Sequence, residues 1–73
     1  MKTLTITKAD LDETGSYVGQ EDVSDFDGHI EIAADLGRVK FSTSVRALGR
    51  IRAHIGSGIE AGNGIEAGWG IEA

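Results

Sequence analysis

The chain is 73 residues long, with 11 glycines, no cysteine, no proline and a formal net charge of −5. That length allows one small domain, with neither disulfides nor a thiolate metal site to brace it, and the acidic balance argues against free nucleic acid as a ligand, because phosphate contacts need a basic surface. No apolar run is long enough to cross a membrane, and the opening MKTLTITKAD lacks the apolar stretch of a secretion signal.

In chain order, Leu4-Thr5-Ile6 alternates apolar and polar residues and reads as a strand. Residues 6–13 carry a short helix as an alternative. ADLDETGS is a polar loop, and Tyr17 and Val18 suggest a short strand. Asp27-Gly28 reads as a tight turn leading into Ile30-Glu31-Ile32. Residues 1–29 are therefore expected to form an acidic, irregular amino-terminal cap. Residues 30–73 are expected to form the repeats of the same single domain.

Those repeats share an apolar-charged-apolar triplet. Val39-Lys40-Phe41, Val45-Arg46-Ala47 and Ile51-Arg52-Ala53 recur every six residues. So do Ile59-Glu60-Ala61, Ile65-Glu66-Ala67 and Ile71-Glu72-Ala73, after two extra residues within His54–Gly58. Alternation within a triplet is strand chemistry, and the intervening glycine- or serine-rich pieces turn the chain. The pattern predicts an all-β fold, a short parallel β-solenoid with hexapeptide-like repeats.

Charge selects the number of sides. With three triplets per circuit, Lys40 lies over Glu60, Arg46 over Glu66 and Arg52 over Glu72, and Glu31 falls beside Arg52. With two, Lys40 would meet Arg52 and Glu60 would meet Glu72, both like pairs that adjacent strands disfavour. A three-sided coil follows, with Val39, Val45, Ile51, Ile59, Ile65 and Ile71 stacked inside.

Charge is also segregated. Ala9–Gly37 contains nine acids and no Lys or Arg, and Arg38–Ala53 contains five bases and no acid. Asp10, Asp12, Glu13, Glu21, Asp22, Asp25 and Asp27 have no evident internal counterions. They are the candidate partner-binding residues, a negative surface able to imitate nucleic-acid phosphates in a basic groove. The bland alternative is a register device, a basic circuit held between two acidic ones.

Other candidates are weaker. Asp25-Phe26-Asp27-Gly28 resembles part of a calcium loop, but Val23 and Ala34 stand where that loop needs carboxylates. No metal or other cofactor is expected, and a calcium-stabilised module is a third-ranked reading. His29 and His54 have no metal spacing and no catalytic neighbours, and read as turn or surface residues. No enzymatic activity is expected. Trp69, between two glycines at a corner, is a candidate contact residue. With Ile65 and Ile71 it marks an expected self-association surface, since the chain ends on a perfect repeat with open strand edges. A homodimer through residues 59–73 is the expected assembly.

The run Ile-Glu-Ala-Gly-x-Gly resembles the tandem Gly-x-Gly-Ile-[Lys/Glu]-Ala repeats of small phage- and prophage-encoded proteins, most closely over residues 28–73. Those proteins continue past this chain's last residue, so it reads as a short form or a truncation. The resemblance implies a phage or mobile-element origin and action in the cytoplasm of a host bacterial cell. By analogy with small acidic phage proteins, it implies an inhibitor of the anti-CRISPR or DNA-mimic type, whose partner is a host nucleic-acid-binding protein with a basic groove. The repeat can also be compared with left-handed hexapeptide acyltransferases, but Thr43, Gly49, Asn63 and Trp69 occupy their small-residue slot, and the chain is too short for their catalytic cleft. The alternative function is a structural, self-assembling solenoid segment.

Overall fold

Apolar residues two apart in the sequence bury one side of each strand, and the glycine- and serine-rich pieces between them release the chain into the next. The computed structural model describes residues 2–62 and 64–72. Among them lie β1 (Lys2–Ile6), a 3₁₀ turn (Lys8–Asp10), β2 (Gly28–Ile32), β3 (Gly37–Phe41), β4 (Val45–Ala47), β5 (Arg50–Ala53), β6 (Ser57–Ala61), β7 (Ile65–Ala67) and β8 (Gly70–Glu72). The protein is all-β, and its strands make small parallel sheets ordered β1-β2-β5-β8, β3-β6 and β4-β7.

The register follows the charge columns. Lys40 aligns with Glu60, Arg46 with Glu66, and Glu31 with Arg52, which aligns in turn with Glu72. Phe41 aligns with Ala61, so a large side chain faces a small one. Inward residues stack as Leu4, Ile30, Ile51 and Ile71 on one sheet and as Val39–Ile59 and Val45–Ile65 on the others. Ile6, Ile30, Ile32, Val39 and Ile51 are wholly buried, and Val23, Phe26, Phe41, Val45, Ala47 and Ala53 complete the core. Each fully buried aliphatic side chain stabilises the fold by about 1.5–3 kcal/mol, set against the entropy of ordering the chain.

The amino-terminal segment departs from the expected cap in several ways. The helix considered over residues 6–13 is only the 3₁₀ turn, because Asp10 accepts from the Thr7 amide at 3.0 Å and the chain is extended again by Leu11. Tyr17 and Val18 do not form a strand. Instead Ser16 bridges Lys40 in parallel fashion and Leu11 bridges Tyr17 in antiparallel fashion. Phe26 likewise bridges Ala47. The segment thus lays one extended piece against each sheet: β1 on β2, Ser16 on β3 and Phe26 on β4. The expected Asp27-Gly28 turn is not there. Gly28 begins β2 beneath Lys2, whose carbonyl occupies the space a Cβ would need. The turn lies earlier, at Val23–Ser24, and Asp22 holds it through the Ser24 amide at 3.0 Å.

The extra residues near His54 form a stacked corner. Asp35 sits at φ +62°, Gly56 at φ +82°, and the Asp35 amide donates to the Ile55 carbonyl at 3.0 Å. Ser57 clamps this corner: its hydroxyl donates to the Ala33 carbonyl and accepts from the Leu36 amide.

Candidate functional site

The acids of residues 10–27 divide into two groups by what their oxygens do. Asp12 is an Asx-type acceptor, taking the Thr14 amide at 2.9 Å, the Thr14 hydroxyl at 2.7 Å and the Ser16 amide at 3.0 Å. These bonds, the Thr14 hydroxyl foremost, hold its carboxyl below the usual carboxylate range. Asp22 is lowered in the same way by the Ser24 hydroxyl and amide. Asp10 holds the Thr7 amide. Each of the three fixes its loop through these bonds, so they are structural as well as negative. Glu13, Glu21, Asp25 and Asp27 are exposed, with no such backbone duty among the described residues.

The loops do not gather all seven into one patch. Asp12 and Glu13 line a cleft with Asp35, Lys8 and Leu36. Asp35 comes from the corner before β3 and was not among the expected residues. Asp25 instead lines a cleft with Arg46, Leu48 and Glu66. Among the described residues none of the seven enters an ion pair. The pairs join Arg38 to Glu60 at 3.2 Å, Arg46 to Glu66 at 3.5 Å, Arg52 to Glu72 at 3.3 Å and His54 to Glu31 at 2.8 Å.

Both histidines are more than turn residues. His54 Nε2 donates to Glu31, and this bond, as the leading cause, lowers the Glu31 carboxyl. His29 lies in β2, where Nδ1 accepts the Arg50 amide at 2.9 Å. Its ring covers Gly49, where a Cβ would collide with it. The ring then meets Trp69 edge-on, with centroids 4.9 Å apart. Of the expected self-association residues, Ile65 is half-buried, Trp69 is 63 % exposed and Ile71 is 49 % exposed. Among the described residues no group of three His, Asp or Glu side chains converges to hold a metal ion. No described helix is long and apolar enough to cross a membrane.

Comparison with protein-family models, curated proteins and solved structures gives no match for this chain.

Proposed function

We propose that the protein is a non-enzymatic binding module whose acidic loops, residues 10–27, occupy a basic groove on a nucleic-acid-binding protein. The observation that carries this reading is an imbalance of pairing. Arg38, Arg46 and Arg52 each have a carboxylate within 3.5 Å, whereas Asp10, Asp12, Glu13, Glu21, Asp22, Asp25 and Asp27 enter no ion pair among the described residues. Carboxylates on loops tied down by Asx turns offer negative charge at fixed positions, as a nucleic-acid backbone does. The scaffold is read as a three-sided parallel β-solenoid, with the amino-terminal segment as its irregular first circuit. The parallel registers and the one extended piece laid on each sheet support that reading. The repeat resemblance supports a phage-type inhibitor acting on a host complex, of the anti-CRISPR kind by analogy.

The test neutralises the acids that have no loop to hold. Glu13→Gln, Glu21→Gln, Asp25→Asn and Asp27→Asn together should leave melting unchanged. They should also weaken capture of a nucleic-acid-binding protein from bacterial lysate, and flatten the salt dependence of that capture. Capture that is equal for both proteins at every salt concentration, or that DNA does not compete away, would end the mimicry reading.

A second reading, a segment that associates with its own copies, is favoured by the exposure of Trp69 and Ile71. Sedimentation over a concentration series separates the outcomes: a dimer weakened by Trp69→Ala supports pairing through residues 59–73, and a ladder of species supports stacking. A monomer throughout excludes both.

A further inference from the structure

The outer face of the β1-β2-β5-β8 sheet carries two rows of side chains. One row reads Thr5, Glu31, Arg52, Glu72 across the strands and alternates in sign. The next places Arg50 beside His29 on β2 and opposite Gly70 on β8. Where the first row supplies a carboxylate to the arginine, the second supplies no side chain at all. A Cβ built on Gly70 would meet nothing within 4 Å. Glu72 is already held by Arg52 at 3.3 Å, and Glu31 by His54 at 2.8 Å. Among the described residues Arg50 therefore has no carboxylate partner.

Arg50 also borders a cleft. His29, Glu31, Arg50, Arg52 and Trp69 line it, and its volume is about 160 Å³. His29 Nδ1 is committed as acceptor to the Arg50 amide, so the neutral ring carries its proton on Nε2 and offers a donor there. Trp69 is fixed by its own amide on the Gly49 carbonyl at 3.0 Å and by its edge contact with His29, and it keeps most of its surface free. Guanidinium, N–H donor and indole line one cleft, together with the Glu31 carboxylate, which His54 holds, and the Arg52 guanidinium, which Glu72 holds.

We propose that this cleft binds an aromatic carboxylate, its carboxylate on Arg50 in the position Glu72 takes on Arg52, and its ring against Trp69. A guanidinium matches a carboxylate with two parallel hydrogen bonds. An exposed indole flanked by a single unpaired cation favours a flat monoanion over a dianion. The site is separate from the acidic loops, and its occupancy does not depend on what they bind.

Trp69 is the sole tryptophan in the chain, so its emission reports the cleft directly. Benzoate should shift that emission saturably, and the same titration followed by NMR should move the His29 ring signals. Benzamide, equal in shape but uncharged, should bind about tenfold more weakly, as should benzoate to Arg50→Met, since a charge-assisted bidentate contact is lost in each case. Acetate tests the ring's share and should also bind more weakly than benzoate. Equal responses to benzoate and benzamide in the unaltered protein would overturn the proposal, with no variant needed. So would full benzoate binding by a folded Arg50→Met protein, or the absence of any response to benzoate.

Discussion

Arg38 reaches diagonally across the strand boundary to Glu60, at 3.2 Å, although the residue aligned with Glu60 on β3 is Lys40. Both partners are more than half exposed, so the pair is worth about 0–1 kcal/mol and fades with salt. Reversing Glu60 to Lys should cost a few tenths to about 1 kcal/mol. Adding Arg38→Glu should restore more of the loss than adding Lys40→Glu. Thermal melts of the two double variants at low and high salt decide between the diagonal and the aligned partner; equal rescue would show that register alone matters.

Ser57 joins two layers at the corner before β6. Removing its hydroxyl leaves the Ala33 carbonyl and the Leu36 amide unmatched in a half-buried place. Ser57→Ala should cost about 1–3 kcal/mol, while Ser57→Thr should retain part of the bonding. Chemical denaturation measures the difference, and an alanine variant as stable as the parent would remove the clamp from the account.

Asp12 and Asp22 bind protons less readily when folded than when unfolded. Their contribution is therefore present above the ordinary carboxylate range and is lost as pH falls through their lowered folded values, below about pH 4. Glu31 adds to the same acid limb. Calorimetry from neutral to acid pH should show a falling melting temperature. Asp12→Asn with Asp22→Asn should lower the neutral value toward the acid one, since the amide oxygen accepts these bonds without the charge, and should thereby shallow the acid limb. An identical limb in the variant would mean that other carboxylates govern acid unfolding.

Ile51 is fully buried between Ile30 and Ile71, whereas Ile71 is half exposed. Ile51→Ala should cost about 2–5 kcal/mol, enough to unfold a domain of this size at ordinary temperature. Ile71→Ala should cost much less. If the two variants melt together, the apolar column is not graded as its exposure indicates.

The stacking order was legible because two signals agreed: apolar residues two apart within a triplet, and opposite charges on strands twenty residues apart. Both survive without any knowledge of side-chain reach. Reach is what the pattern lacked. Register places Lys40 on Glu60, but the longer fork of Arg38 takes the carboxylate. The amino-terminal segment hid its path because β1 and β2 pair across 26 residues with no shared motif. Its turns had a readable sign that charge counting passed over: Asp12-x-Thr14 and Asp22-x-Ser24 are the spacing at which a carboxylate takes the amide two residues on. The contact of His29 with Trp69 had none. It depends on Gly49 leaving space between them, and only the stacking of the strands puts that space there.

Three of the strand pairings join residues twenty apart: Gly37 with Ser57, Val45 with Ile65, and Arg50 with Gly70. Inserting or deleting a single six-residue repeat would send every downstream strand to the neighbouring sheet and move the bend at His54–Gly56 onto a straight edge. Twenty residues, three hexapeptides and one bend, return each isoleucine to its apolar column and each glutamate to a basic residue, Glu60 to Lys40, Glu66 to Arg46 and Glu72 to Arg52. Changes in the length of such a chain are therefore quantised. A change of twenty residues keeps these strand pairings and a change of six does not, so the unit that preserves register is larger than the motif that is repeated.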